Sequence, residues 1–200
     1  MNISDRDCPA TVLAIESETA RLGFPMASDR LTGSLLRTLA ASKPSGELLE
    51  LGTGTGLGTA WLLEGMSADA KLTTVDNNST VVDVARRILD PDPRVDFNVA
   101  DGAEFLASLQ GTRFDLIFAD TWPGKFDHLE EALQLLKTGA LYIIDDLLPQ
   151  PNWPEDHAPK VPDLINKLKA RHDLSIVELN WSTGIIIATK IEIGFRERFR

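Results

Sequence analysis

The sequence predicts an α/β protein built on a seven-stranded, mostly parallel β-sheet that ends in an antiparallel hairpin. Two observations lead to this prediction: apolar runs of strand length alternate with segments of helix length, and several runs are apolar at consecutive positions. The alternation is typical of βαβ units, and continuous apolar runs are typical of strands buried on both faces. The predicted strands span residues 47–51, 71–75, 95–99, 114–119, 140–144, 174–179 and 184–189.

Helices are predicted before and between these strands. Two of them, over residues 11–22 and 29–41, precede the first strand, and a break with Pro44 and Gly46 follows them. We expect this pair to cover one rim of the sheet, and its helices are candidate contact surfaces for a homodimer. The helices between strands are predicted roughly over residues 56–66, 79–90, 101–109, 126–136 and 161–171.

The end of the chain follows a different pattern. The last two strands are separated only by residues 180–183, a connection too short for a helix, so they are predicted to pair as antiparallel neighbours. Five prolines between Leu147 and Pro162 exclude a helix or a central strand there, and an ordered loop or lid is predicted instead. The predicted organisation is N-terminal helices, one α/β domain and a loose tail, over residues 1–45, 46–193 and 194–200.

Composition narrows the function classes. Lys and Arg number 20 against 30 Asp and Glu, a formal net charge of −10, which disfavours nucleic acid and anionic membrane surfaces as partners. The single cysteine, Cys8, excludes an internal disulfide and a thiolate zinc cluster. The first residues lack the pattern of a secretory signal, and no stretch approaches the ~18 apolar residues of a spanning helix. We therefore expect a soluble, cytoplasmic protein.

The most informative motif is a glycine-rich stretch between the first strand and the following helix. It starts at Glu50 and continues with Gly52, Thr53, Gly54 and Gly56, and such glycines let the backbone turn tightly and approach a ligand. The spacing matches neither the dinucleotide fingerprint nor a P-loop. A carboxylate two residues before the first glycine would repel a pyrophosphate but suits a cationic ligand. The alternative is a turn that serves only strand–helix packing.

This stretch resembles the first motif of the class I S-adenosylmethionine-dependent methyltransferases. With the acids at later strand ends, the chain is similar to the small catechol-type and caffeoyl-CoA-type O-methyltransferases over roughly residues 26–190. The resemblance implies a Rossmann-like class I methyltransferase fold with helices on both faces of the sheet. It also implies S-adenosylmethionine as the cofactor, with its methionyl part surrounded by Glu50, Gly52, Thr53, Gly54 and Gly56.

The resemblance assigns further cofactor contacts to the ends of the next strands. Asp76, beside Asn77, would accept hydrogen bonds from the ribose hydroxyls, and a helix cap is the alternative for Asp76. Asp101, beside Gly102, would accept from the adenine amino group, a role compatible with capping the next helix. Asp120, at the end of the fourth strand, completes the predicted cofactor contacts.

Three aspartates after the fourth and fifth strands form the predicted metal site. By the resemblance, Asp120, Asp145 and Asp146 would bind Mg²⁺ or another divalent cation, which prefers oxygen ligands. Asp146 stands where the family has Asn, and Pro123 stands where it has its catalytic lysine. Lys125 is, with Asp120, the predicted catalytic residue, taking the acceptor proton or stabilising the oxyanion. The alternative is a solvated Lys125 and two aspartates that merely end a strand.

The predicted function is S-adenosylmethionine-dependent methylation of a small-molecule acceptor at a hydroxyl oxygen, with or without a divalent metal. The alternatives are a metal-independent methyltransferase acting on nitrogen or a carboxylate, an aminopropyl transferase, and a non-catalytic protein that keeps the cofactor pocket. Trp122 and Trp153 either form an aromatic wall for a flat ligand or pack the proline-rich loop. His157, in the same loop, is a further candidate base.

Overall fold

The sheet has the predicted number and direction of strands. The computed structural model describes residues 3–192, and its strands are β1 (Glu47–Leu51), β2 (Lys71–Asp76), β3 (Val95–Val99), β4 (Phe114–Ala119), β5 (Leu136–Ile144), β6 (Leu174–Leu179) and β7 (Ile185–Lys190). Their order is β3-β2-β1-β4-β5-β7-β6. The pairs among β1 to β5 are parallel, and β7 is antiparallel to both of its neighbours. The predicted mostly parallel sheet with a C-terminal antiparallel hairpin is confirmed.

Helices cover both faces of this sheet. After a short 3₁₀ turn at Asp5–Asp7, they are α1 (Ala10–Leu22), α2 (Arg30–Ala41), α3 (Leu57–Gly65), α4 (Ser79–Leu89), α5 (Gly102–Ser108), α6 (Leu129–Gln134) and α7 (Lys160–Lys169). The apolar sides of α1 to α4 join one core cluster, and those of α5 to α7 join another. Alternate strand residues point to opposite faces, so Leu48 belongs to the first cluster and Leu49 to the second. The predicted placement of helices on both faces is confirmed.

Strand β5 is longer than predicted. A helix was expected over 126–136 and a strand from residue 140, whereas α6 ends at Gln134 and β5 begins at Leu136. Leu136 pairs with Phe114, and the register shifts directly after this pair. Gly139 has a φ of 81° in this irregular part, a conformation that glycine adopts without steric cost. The chain therefore enters the sheet before the apolar run that signals the strand.

The proline-rich segment after β5 forms the predicted loop. No regular helix or strand is assigned from Leu147 to Pro159, and α7 then begins at Lys160. Pro162 lies in the first turn of α7, where its missing N–H costs no helical hydrogen bond. The loop follows the C-terminal end of β5, the edge at which open α/β sheets bind ligands. The tail predicted over 194–200 lies outside the described residues.

Among the helices of residues 3–192, none combines the length and the apolar composition that crossing a bilayer requires.

Helices α2 and α3 approach closely at Gly33, which faces the ring of Trp61. A Cβ added at Gly33 would lie 2.1 Å from Cδ1 of the buried Trp61 ring. Gly33→Ala gains about 1 kcal/mol of helix propensity, but overpacking such a contact costs about 1–3 kcal/mol, occasionally more. We expect a net loss in the free energy of unfolding, measured by urea denaturation. The control is Thr38→Ala on the exposed side of α2; equal stability of the two variants would contradict this prediction.

Candidate functional site

The turn between β1 and α3 is made of left-handed glycines. Gly52 and Gly54 have φ values of 102° and 52°, which glycine adopts at no steric cost. The N–H groups of Gly52 and Thr53 donate to the carbonyl of Val75 at 2.9 and 3.1 Å, which ties the turn to the end of β2. A Cβ at Gly52 would lie 3.0 Å from the carbonyl oxygen of Asp120, so the turn also packs against the end of β4.

This turn forms one wall of a cavity at the C-terminal ends of the central strands. The cavity has a volume of about 210 Å³, and its other walls come from the segment before α2, the loop after β4 and the proline-rich loop. Seven predicted site residues line it together: Gly52, Thr53, Gly54, Asp76, Asp120, Lys125 and Asp146.

Asp76, at the end of β2, presents a carboxylate to this cavity. Its Oδ2 accepts from the N–H of Gly54 and its Oδ1 from the N–H of Asn78, both at 2.9 Å. A carboxylate offers about four acceptor positions, so each oxygen can still accept a hydroxyl donor. The cap of α4 is Asn78, whose side chain accepts from the N–H of Thr80 at 3.0 Å. The capping role considered for Asp76 therefore belongs to Asn78.

Glu50 lies behind the turn and not in the cavity wall. Its side chain is fully buried, and Oε2 accepts from the hydroxyls of Thr59 and Thr74 at 2.5 and 2.6 Å. Oε1 has no hydrogen-bond partner among the described residues and faces Gly58, where an added Cβ would lie 2.4 Å from it. Burial raises the pKa of Glu50 to about 7. The structure thus places Glu50 in the core beneath α3, which differs from the predicted contact with the methionyl part.

Four more predicted cofactor residues lie outside the cavity wall. Asp101 caps α5, its Oδ1 accepting from two N–H groups of the first turn at 2.9 and 3.1 Å. Gly56 packs against α4, since an added Cβ would lie 2.7 Å from the Cβ of Ala85. Asn77 and Gly102 do not line the cavity either. Helix capping is therefore the role that the structure shows for Asp101, and its adenine contact stays a prediction.

Asp120, Asp145 and Asp146 meet at a second cavity of about 220 Å³, which shares Asp120 and Asp146 with the first. Burial raises the pKa of Asp120 well above its usual value, and the charge of Asp145 adds to this effect. Burial also raises the pKa of Asp145, to about 6. The ammonium of Lys125 lowers the pKa of both carboxyls, so it offsets part of the repulsion between them.

The structure does not show the metal site predicted at these aspartates. Within residues 3–192, no group of three or more His, Cys, Asp or Glu side chains has an arrangement that could hold a metal ion. The carboxylate of Asp145 accepts from the hydroxyl of Thr183 and from the N–H of Asp146. That of Asp120 accepts from the hydroxyl of Ser28 at 2.9 Å. One oxygen each of Asp120 and Asp145 thus accepts from protein donors, and metal binding by the three aspartates stays a prediction.

Lys125 is a buried residue of the cavity and not a solvated loop lysine. It is 2 % exposed, and its Nζ donates to the carbonyl of Asp145 at 2.9 Å. Nζ also lies 5.7 Å from the ring centroid of Phe126. The loop after β4 therefore brings a lysine to the site although Pro123 occupies the position expected from the resemblance. An ammonium group and the carboxyl groups of Asp120 and Asp146 therefore line the same cavity.

The proline-rich loop covers the cavity with aromatic groups. The buried ring of His157 stacks on Trp153 at a centroid distance of 4.2 Å and meets Phe126 edge-on at 4.8 Å. Its Nε2 donates to the carbonyl of Asp146 at 3.0 Å, and burial lowers the pKa of His157. Trp122 and His157 line the cavity, whereas Trp153 does not. Of the two predicted wall residues, Trp122 therefore lines the cavity, whereas Trp153 packs against His157 within the loop.

Three polar residues that sequence reasoning did not single out complete the site. Ser28 and Thr183 donate to carboxylates of the aspartate cluster. Asn152 donates from Nδ2 to the carbonyl of Pro25 at 2.8 Å, and this bond joins the proline-rich loop to the segment before α2. All three come from connecting segments far along the chain from the groups they bind, so no local motif signals them.

Comparison with known proteins decides the family. Residues 49–147 match the family model described as a methyltransferase domain. The chain contains a methyltransferase domain. The matched range begins in β1 and ends just after Asp146, so it includes the glycine turn, Asp76 and Lys125.

The methyltransferase domain has curated relatives named as O-methyltransferases. A catechol O-methyltransferase of Mycobacterium tuberculosis is 27 % identical over 146 residues, which are 71 % of this chain and 66 % of that relative. A provisionally named O-methyltransferase of Mycobacterium ulcerans is 32 % identical over 117 residues, which are 56 % of this chain and 52 % of that relative. The chain thus matches between about half and two thirds of the length of these relatives.

Solved structures share the fold of the methyltransferase domain. The O-methyltransferase of tomaymycin synthesis from Streptomyces achromogenes, solved with S-adenosylmethionine, has a TM-score of 0.80 at 21 % identity and covers 92 % of this chain and 91 % of its own. A methyltransferase from Geobacter sulfurreducens has a TM-score of 0.75 at 25 % identity, with coverages of 95 % and 91 %. The predicted Rossmann-like class I methyltransferase fold is confirmed.

Proposed function

We propose that this chain is an S-adenosylmethionine-dependent methyltransferase that acts on a hydroxyl oxygen of a small molecule. The observation that carries the proposal is that Asp76 and the glycine turn line the same cavity as Asp120 and the buried Lys125. Groups suited to hold the cofactor and a group suited to stabilise an oxyanion thus meet in one place. The relatives named as O-methyltransferases support the same reaction.

The residues around the glycine turn fit S-adenosylmethionine. When bound, this cofactor supplies an electrophilic methyl group on a sulfonium centre. The glycines leave space for a ligand, and side chains at these positions would occupy that space. A Cβ at Gly54, for example, would lie only 3.3 Å from the ring of Phe24, which also lines the cavity. We infer that Gly52, Thr53 and Gly54 hold the methionyl part. Asp76, with acceptor positions still open, would hold the ribose hydroxyls.

Lys125 is the group that would act on the acceptor oxygen. A phenol with a pKa near ~10 is a poor nucleophile at neutral pH. The ammonium donates one hydrogen bond to the Asp145 carbonyl and has further N–H bonds with which to stabilise the oxygen as it loses its proton. Asp120, which lines the same cavity, is the carboxyl placed to receive that proton. Water has little access to the ammonium group, since Lys125 is only 2 % exposed.

The acceptor is proposed to be a small phenol or catechol. The cavity of about 210 Å³ is covered by two connecting segments and has Trp122 in its wall, and one relative is named a catechol O-methyltransferase. The formal net charge of −10 argues against a nucleic-acid partner. A homodimer through α1 and α2 and a cytoplasmic location stay predictions.

Two measurements test this proposal. Titration calorimetry is expected to show binding of S-adenosylhomocysteine, and a panel of phenols and catechols is expected to yield S-adenosylhomocysteine from S-adenosylmethionine with EDTA present. Tighter binding of decarboxylated S-adenosylmethionine would indicate an aminopropyl transferase and overturn the proposal. Cofactor binding without turnover on any acceptor would favour a non-catalytic binding protein, and turnover lost in EDTA would show that a divalent metal is required.

Asp76→Ala is expected to weaken S-adenosylhomocysteine binding by about tenfold or more. The substitution removes charge-assisted hydrogen bonds to the ribose, each worth about 1.5–3 kcal/mol. Calorimetry measures the dissociation constant, and circular dichroism checks that the fold is retained. Asp83→Ala is the matched control, because Asp83 is exposed on α4 and lies outside the cavity wall; a comparable loss there would contradict a specific role of Asp76. Unchanged affinity in Asp76→Ala would contradict the ribose role.

A further inference from the structure

The loop between β4 and α6 is built around one carbonyl group. The carbonyl of Trp122 accepts from three N–H groups, those of residues 125–127, at 2.9, 2.9 and 3.1 Å. The N–H of Gly124 makes another bond within the loop, at 2.6 Å. These bonds close residues 122–127 into a compact unit, which we call the lysine loop. Its backbone geometry determines where the side chain of Lys125 is placed.

Two hydrogen bonds attach the lysine loop to the end of β5. The hydroxyl of Tyr142 donates to the carbonyl of Gly124. The Nζ of Lys125 donates to the carbonyl of Asp145 at 2.9 Å, three residues further along the chain than Tyr142. Tyr142 of β5 therefore holds Gly124 through its backbone carbonyl, and Asp145, directly after β5, holds Lys125 through its ammonium group.

The contact between Tyr142 and Gly124 leaves no room for a side chain at position 124. Tyr142 is fully buried, and burial raises the pKa of its hydroxyl, which therefore stays protonated as a donor. Gly124 has a φ of 90°, and an added Cβ would lie 2.4 Å from Cδ1 of Leu51 and 3.0 Å from the Tyr142 hydroxyl oxygen. A glycine at this position is what gives the tyrosine access to the loop carbonyl.

We propose that Tyr142 is a positioning residue that fixes the lysine loop and so holds the Lys125 ammonium in the cavity. This inference rests on the proposed function, which gives Lys125 its role at the acceptor oxygen. Without the Tyr142 hydroxyl, the Gly124 carbonyl loses its donor inside the core, and the loop must shift to find another. Lys125 is the next residue and shifts with it. A displacement of about 1 Å in such a group can lower a rate by about 100-fold.

Tyr142→Phe tests the proposal, because it removes the hydroxyl and keeps the ring. We expect the ¹⁵N-correlated NMR resonance of the Lys125 ammonium, assigned by its loss in Lys125→Met, to shift or broaden. The dissociation constant of S-adenosylhomocysteine should stay within about twofold, while kcat for a phenolic acceptor falls about 10- to 100-fold at nearly constant KM. The control, Phe114→Leu, truncates another buried ring of the same core cluster and should lower stability without moving the Lys125 resonance.

The outcomes separate this inference from the proposed function. An unchanged ammonium resonance and kcat in Tyr142→Phe, or equal changes in Phe114→Leu, would overturn the positioning role. If the wild type does not bind S-adenosylhomocysteine, the proposed function fails, whereas the ammonium resonance still reports whether Tyr142 fixes Lys125. Should Tyr142→Phe fail to fold, Gly124→Ala displaces the loop from the same hydroxyl and is expected to shift the same resonance; no shift would overturn the role.

Discussion

Lys125→Met is expected to lower methyl transfer to a phenolic acceptor by about 10²- to 10⁴-fold while cofactor affinity stays nearly unchanged. Methionine keeps an unbranched apolar side chain but removes the ammonium group that lies 2.9 Å from the Asp145 carbonyl. The negative charge that develops on the acceptor oxygen then loses its positive partner in a place shielded from water, where such interactions are strong. The measurement is the rate of S-adenosylhomocysteine release at saturating S-adenosylmethionine with the most active phenol of the panel.

Lys160→Met is the matched control for this experiment. Lys160 lies near the same loop, with its Nζ 3.5 Å from the ring centroid of Trp122, and it pairs with Asp156 at 3.1 Å. It does not line the cavity, so its loss should leave the rate close to that of the wild type. Equal losses in both lysine variants would indicate a general charge effect. A full rate in Lys125→Met would remove Lys125 from the catalytic machinery.

The positions and directions of the strands and the helix placement were predictable in outline because local signals agree with the tertiary structure. Strand β1 is apolar at consecutive positions, and the structure buries Leu48 and Leu49 in clusters on opposite faces of the sheet. The early start of β5 was not predictable from the same signals. Its first residues, apart from Leu136, are not buried and lack an apolar run. They join the sheet only through the pair of Leu136 with Phe114, and such tertiary pairing overrides local propensity.

The site was predictable where one motif fixes it, and not where distant segments meet. The strand–turn–helix pattern itself brings Gly52, Gly54 and the end of β2 together, so these residues line the cavity as expected. The direction of a side chain is not set by spacing. The carboxylate of Asp145 accepts from Thr183, 38 residues away, a contact that no local motif signals. Lys125 reaches the cavity only through the hydrogen bonds of its loop.

The burial of Glu50 is expected to make the free energy of unfolding depend strongly on pH. The pKa of Glu50 is about 7 in the folded protein against an ordinary value of 4.5. Between these two pH values the folded state keeps a proton that the unfolded state has released. Stability therefore falls as the pH rises from 4.5 to 7, by roughly 3 kcal/mol, because one pKa unit corresponds to about 1.36 kcal/mol. Above pH 7 the folded protein contains a buried carboxylate whose Oε1 has no partner within residues 3–192.

Glu50→Gln is expected to remove this contribution, because an amide does not titrate and its oxygen still accepts from Thr59 and Thr74. Urea unfolding of both proteins at pH 5 and pH 8 measures it, and the difference between them cancels the titration of all other groups. The free energy of unfolding of the variant minus that of the wild type should rise by roughly 3 kcal/mol from pH 5 to pH 8. Glu47→Gln, at the exposed start of the same strand, should show the same change in the free energy of unfolding with pH as the wild type. The same pH dependence in Glu50→Gln as in the wild type would contradict the raised pKa of Glu50.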